Sequence, residues 1–189
     1  MKRNLAAGVF ALGIAAAATS DAAVLMIEAA EIGSDTVFSF SGSFDVTGLS
    51  ASNALGTSFA GVDPSSGAIL FGGNEANLDG YVIPTPAFGT GGGVSGTGVG
   101  DTLKIFSDDV IGFAPGYAGG QISGSLTLTD ESFTSLGLSF GTFTTSAANG
   151  ATVELRIADP AAVIPLPATL PLLLGGLLGL GLLARRRRG

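Results

Sequence analysis

Glu75, Asn77, Asp79 and Gly80 stand in the order E-x-N-x-D-G, which matches positions 1, 3, 5 and 6 of a calcium-binding loop. Carboxylate and amide oxygens at alternate positions, with a glycine where the loop turns sharply, suit a hard divalent cation. The match is partial: position 12, normally a bidentate glutamate, is Pro86, and position 1 is normally aspartate. The same residues also make an ordinary Asn/Asp/Gly turn. The ordinary turn is the preferred reading and no cofactor is expected; calcium, with Glu75, Asn77 and Asp79 as its ligands, is the one alternative these residues allow.

The rest of the catalytic inventory is thin. The chain has no His and no Cys, which removes imidazole general bases, Ser-His-Asp and Cys-His nucleophile sets, and His or Cys zinc sites. Carboxylate chemistry remains. A glycosidase needs two carboxyl groups about 5–9.5 Å apart in a groove, usually beside rings that stack on sugars. The chain has no Trp, and its only tyrosines are Tyr81 and Tyr117. Asp108-Asp109 and Asp130-Glu131 read as solvated acids at strand ends. Gly91 to Gly96 fits G-x-G-x-x-G literally, but a dinucleotide site needs a strand before it and a helix after it. Here the glycines continue, and Gly89–Gly100 reads as a flexible surface loop. The chain is expected not to be an enzyme.

The elements around these residues read as strands. Val24–Glu31 is a first strand. In Thr36–Val46, Phe38, Phe40, Phe44 and Val46 alternate with Ser39, Ser41, Ser43 and Asp45, and Gly42 occupies an apolar slot that marks a bulge or a close approach. Leu49–Pro64 reads as loop and short turns, Gly67–Phe71 as a strand, Gly72–Gly80 as a polar loop, and Tyr81–Ile83 as a brief extended piece. Thr102–Phe106 and Val110–Phe113 are strands flanking Asp108-Asp109. Ile122, Leu126 and Leu128 alternate with Ser and Thr, with Gly124 in an apolar slot. Phe140–Thr145 and the alternating Val153, Leu155 and Ile157 flank the turn pair Asn149-Gly150. Phe38, Phe40, Phe44, Phe133, Phe140 and Phe143 are expected in the core. No stretch of the body sustains a 3.6-residue period. The expected fold is all-β: a single antiparallel β-sandwich, jelly-roll-like, with an N-terminal signal helix and a C-terminal transmembrane helix outside it.

Both ends read as addresses. Residues 1–22 carry Lys2 and Arg3, an apolar run and small residues before Ala22, the form of a secretory signal peptide. Residues 164–189 carry three signals in a row: Ile164, Pro165, Leu166, Pro167 and Ala168; an uncharged Leu/Gly-rich span over 168–184; and Arg185, Arg186, Arg187 and Arg188. The span sits at the short edge of the roughly 17–25 residues that cross a bilayer as a helix. The arginines hold the C-terminus on the cytoplasmic side. Between the ends lies a body of residues 23–163. Removing Lys2, Arg3 and Arg185–Arg188 from the eight basic residues leaves Lys104 and Arg156. Removing Asp21 from the fifteen acids leaves fourteen, so the body's net charge is near −12. Such a field repels polyanions, and no nucleic-acid partner is expected.

Pro-Leu-Pro-Ala, a short Leu/Gly span and an arginine cluster, in that order, resemble the VPLPA-type sorting tail, a relative of the PEP-CTERM signals on exported proteins of Gram-negative bacteria. Ile164 stands where that family usually has Val. The body from Pro115-Gly116-Tyr117 to Gly141-Thr142-Phe143 is loosely similar to other PEP-CTERM precursors. The resemblance implies recognition by an exosortase, a membrane-embedded cysteine protease acting near the Pro-rich motif. It implies a precursor held in the inner membrane and a mature body released to the cell surface or an exopolysaccharide matrix. The expected role is structural, in a polysaccharide or biofilm layer; the alternative is a carbohydrate- or calcium-binding module on the same sandwich.

Overall fold

The computed structural model describes residues 23–56, 59–72 and 77–159. The signal segment 1–22, the sorting motif Ile164–Ala168, the span 168–184, Arg185–Arg188 and the calcium candidate Glu75 lie outside the described residues. The described chain is all-β. Its strands are β1 (Val24–Ile32), β2 (Asp35–Gly42), β3 (Ser52–Leu55), β4 (Gly61–Asp63), β5 (Ala68–Leu70), β6 (Asn77–Val82), β7 (Val94–Ser95), β8 (Thr97–Gly100), β9 (Leu103–Phe106), β10 (Val110–Phe113), β11 (Ile122–Leu128), β12 (Gly141–Ser146) and β13 (Thr152–Ile157). Among the described residues no helix is long and apolar enough to cross a membrane.

The strands form two sheets. A six-stranded sheet runs β12-β13-β1-β2-β11-β8, and a seven-stranded sheet runs β3-β6-β10-β9-β5-β4-β7. The pairing is antiparallel except for β1 on β13, which is parallel, with Val24 opposite Thr152 and Ala29 opposite Ile157. A purely antiparallel body is thus corrected to a mostly antiparallel one. Parallel neighbours need a long connection, and nearly the whole described chain separates these two strands.

Alternation decides which side of each strand faces in. Leu25, Ile27 and Ala29 of β1, Phe38 and Phe40 of β2, Leu126 and Leu128 of β11, and Val153, Leu155 and Ile157 of β13 are buried in one cluster. Val62, Ile69, Tyr81, Leu103, Ile105, Ile111 and Phe113 of the other sheet join that cluster. Each buried Val, Leu, Ile or Phe side chain among them contributes about 1.5–3 kcal/mol. Rings cross the interface: Phe40 meets Phe71 at 4.6 Å between centroids, and Phe44 meets Phe113 at 5.5 Å. Gly124 marks a close approach, not a bulge, because the register runs unbroken through it, and Gly42, the last paired residue of β2, lies close against the Val24 carbonyl. A Cβ on Gly124 would stand 2.6 Å from the Phe40 ring, so this glycine makes room for the ring opposite it.

Four readings change. Leu49–Pro64 contains β3 and β4, and β6 begins at Asn77, inside the expected polar loop. Gly89–Gly100 is a packed corner carrying β7 and β8. Phe140 is 50% exposed and lies outside the core, against Phe133 at 6.1 Å. The short strands escaped notice because pieces of two to four residues are too brief to show a period.

Candidate functional site

The acids are the residues with chemical potential, and the fold spends them on backbone. Glu31, at the end of β1, accepts the Phe133 N–H at 2.6 Å, and Asp35 accepts the Asp130 N–H at 2.9 Å. Asp101 accepts from Ser123 N–H at 2.8 Å, and Asp79 from Gly116 N–H at 2.7 Å. Asp109 takes both the N–H and the hydroxyl of Thr85, at 2.8 and 3.0 Å. Asp45 and Asp63 close their own turns by accepting from Thr47 N–H and Ser66 N–H. The Glu131 carboxylate accepts the Ser135 hydroxyl at 2.6 Å, while its carbonyl accepts that of buried Thr36 at 2.7 Å. A backbone N–H is satisfied well by a carboxylate, so these are staples between loops and strand ends.

The electrostatics agree with that role. The backbone N–H of Thr47 holds Asp45 below the usual carboxylate range, and the Ser65 hydroxyl, ahead of the other contacts, does the same for Asp63. A carboxyl with a depressed folded pKa adds stability above its unfolded pKa and loses it as pH falls through the folded value. No group of three or more acids converges on a common metal position among the described residues. Asp108-Asp109, expected as plain solvated acids, includes one staple. Asp109 and Asp130 also adopt left-handed backbone, with φ of 63° and 58°.

The calcium pattern takes a different form from the one its spacing suggests. Asn77, Asp79 and Gly80 run in the extended strand β6, so Gly80 is a strand residue and not the turn of a cation loop. Gly80 pairs with Gly112 of β10, and the Asp79 carboxylate is held by Gly116. Glu75 lies outside the described residues, and the other two named ligands, Asn77 and Asp79, stand on one strand.

Two polar side chains, one buried and one half-buried, were not singled out by sequence. Lys104 of β9 is 1% exposed, and its Nζ donates to the carbonyls of Phe71 at 2.5 Å and Phe59 at 3.0 Å. Burial pushes its pKa down. It stands between apolar Leu103 and Ile105 on the strand, and only its break in the alternation hints at it. Tyr117 stacks on Phe113 at 4.3 Å; its hydroxyl donates to the Gly120 carbonyl and accepts the Phe44 N–H. Burial pushes its pKa up. Both residues fasten chain segments together.

The concave features are modest. A cavity of about 30 Å³ lies between the sheets, lined by Ile27, Ile69, Ile83, Phe88, Phe143 and Val153 among others. That is room for about one water, in apolar surroundings. An open groove of about 450 Å³ runs past Phe140, Gly141, Thr142, Arg156 and Asp159. It holds one carboxylate beside one guanidinium, not the paired carboxylates that acid–base hydrolysis needs. No protein-family model, curated protein or solved structure matches this chain.

Proposed function

We propose that this chain is an exported, acidic, non-enzymatic surface or matrix protein, delivered by an exosortase-type C-terminal sorting signal. The observation that carries the reading is the order Ile164-Pro165-Leu166-Pro167-Ala168, uncharged span, Arg185–Arg188. The span partitions into the bilayer and the arginines resist translocation. The motif is then left at the outer face of the inner membrane. Two prolines two residues apart keep it extended, since Pro fixes its own φ and disfavours helix in the residue before it. An extended segment fits a protease cleft. The body is read as one sandwich of jelly-roll-like kind, because the chain passes between sheets at β2–β3, β7–β8, β8–β9 and β10–β11. The acids that are occupied with backbone N–H groups support a structural role in an extracellular polysaccharide layer.

The test is an immunoblot of membrane and surface fractions, with an epitope in the open turn at Gly33. Pro165→Ala with Pro167→Ala is expected to insert normally and accumulate as an uncut, membrane-held precursor. Neutral residues at Arg185–Arg188 are expected to impair retention or orientation instead. A double-proline variant that reaches the surface, shortened like the wild type, rules out processing at the motif.

A further inference from the structure

Strand β12 is an edge of the six-stranded sheet, and its outward side can be identified. The Ala147 N–H donates to the Ala151 carbonyl at 2.9 Å, closing the hairpin. The register then runs without a bulge from Ser146 opposite Thr152 to Gly141 opposite Ile157. In an antiparallel pair, hydrogen-bonded and non-bonded positions alternate. Counting from Ala147, positions 145, 143 and 141 bond to β13. Thr142, Thr144 and Ser146 therefore turn their N–H and C=O groups away from the sheet.

Edges of this kind are normally guarded by Lys, Pro, a bulge or extreme shortness. Gly141–Ser146 reads GTFTTS and has none of these guards. The opposite edge of the same sheet, β8, has four residues and is bounded by a corner at Gly96 and by Gly100 at φ 96°. Among the described residues the sheet thus offers one long, straight, unguarded edge.

We propose that β12 pairs antiparallel with β12 of a second copy of this chain, forming a two-fold dimer with a continuous twelve-stranded sheet. The charge pattern leaves this edge as the place where a second copy meets least repulsion. Two bodies near −12 repel over most of their surface, but β12 carries no charge. On the adjoining strand, Glu154 is ion-paired with Arg156 at 2.5 Å, and Lys104 is buried, so Arg156 is the one exposed basic side chain among the described residues. The edge is also self-complementary. Setting Thr144 opposite its own copy places Thr142 opposite Ser146, and all three outward positions find partners. Sliding by two residues leaves one of them outside the strand. Using up the single long edge of each copy closes the assembly at two, since an isologous contact does not propagate.

The chain has no cysteine, so one introduced cysteine reports one position. In the full-length chain, Thr144→Cys is expected to form a disulfide dimer on mild oxidation. Thr142→Cys alone should link at least tenfold less, and Thr142→Cys mixed with Ser146→Cys should link well. Thr97→Cys on β8 is the background control. Thr144→Lys is expected to convert the dimer to monomer in sedimentation while leaving the melting temperature of the monomer unchanged. Linking by Thr144→Cys no greater than by Thr97→Cys, or equal linking by Thr142→Cys and Thr144→Cys, overturns the proposal. So does a monomer whose Cys at 144 is shielded from maleimide, which would mean that another segment occupies the edge.

Discussion

The two edges of the six-stranded sheet are built on opposite principles. At β8 the chain turns a corner from one sheet into the other through Val94–Gly100, and the sheets come together backbone to backbone. A Cβ on Gly98 would stand 2.6 Å from the Gly72 nitrogen, and one on Gly96 would overlap the Thr127 carbonyl and the Leu128 side chain. The Gly96 N–H donates to the Ala60 carbonyl. At β12 the chain runs straight, with the Thr142, Thr144 and Ser146 side chains standing in solvent. Glycine at the corner is a steric requirement, whereas threonine at the straight edge leaves the backbone open to a partner. Low sequence complexity means tight packing at one edge and availability at the other.

Gly98→Val attacks the corner directly and has the largest expected effect. Overpacking ordinarily costs about 1–3 kcal/mol, and here the neighbours are backbone atoms that cannot rotate away, so a loss at or above the top of that range is expected in urea denaturation. Gly92→Val is the control: nothing lies within 4 Å of its Cβ position. Its change should stay within about 0.5 kcal/mol, the usual size for a surface substitution. Equal losses at both positions would mean that Val94–Gly100 is a loop with no special packing.

Lys104→Met probes the same corner from beneath. The ammonium holds Phe59 and Phe71, whose chain neighbours Ala60 and Gly72 meet Gly96 and Gly98. Losing the donor takes the ammonium from the buried Phe71 carbonyl and one contact from the part-buried Phe59 carbonyl, an expected cost of about 1–3 kcal/mol at neutral pH. The pH dependence separates this from simple repacking. Lys104 has a folded pKa below its unfolded one. Between the two values the unfolded chain binds more protons, so its contribution to stability rises with pH, up to about 10.4, the unperturbed lysine pKa. Tyr81 and Tyr117, held neutral in the fold chiefly by burial, lower stability above about pH 10. The variant should lose the rise and keep the fall. An unchanged pH profile would deny the buried charge. The smallest effect is expected at the straight edge, where Thr144→Lys should alter monomer stability by less than about 0.5 kcal/mol.

The same contrast explains what could be read from sequence. β1, β2, β11 and β13 were legible because each carries an apolar face long enough to alternate, and β9 and β10 because two turn acids separate them. The glycine corner was not legible: composition cannot distinguish a glycine that needs freedom from one that needs absence of a side chain. Membership of a sheet depends on partners distant in the chain, and the parallel pairing of β1 with β13 joins residues more than a hundred positions apart. The staples were hidden for the same reason, since Glu31 and Phe133 are 102 residues apart. The E-x-N-x-D-G pattern did not foretell that Asn77, Asp79 and Gly80 lie in a strand, because a local motif is silent about strand pairing. Asp79 belongs to a ladder with β10 and to Gly116, not to a turn.

Amide hydrogen exchange of the full-length chain, followed over a hundredfold range of protein concentration, tests the two-edge account most directly. The account predicts that the Gly96 amide is protected equally at every concentration, because its partner, Ala60, lies within the same chain. It predicts that the Thr142, Thr144 and Ser146 amides exchange fast when dilute and slow as concentration rises. Fast exchange at Gly96, or exchange at Thr144 that does not depend on concentration, would contradict it.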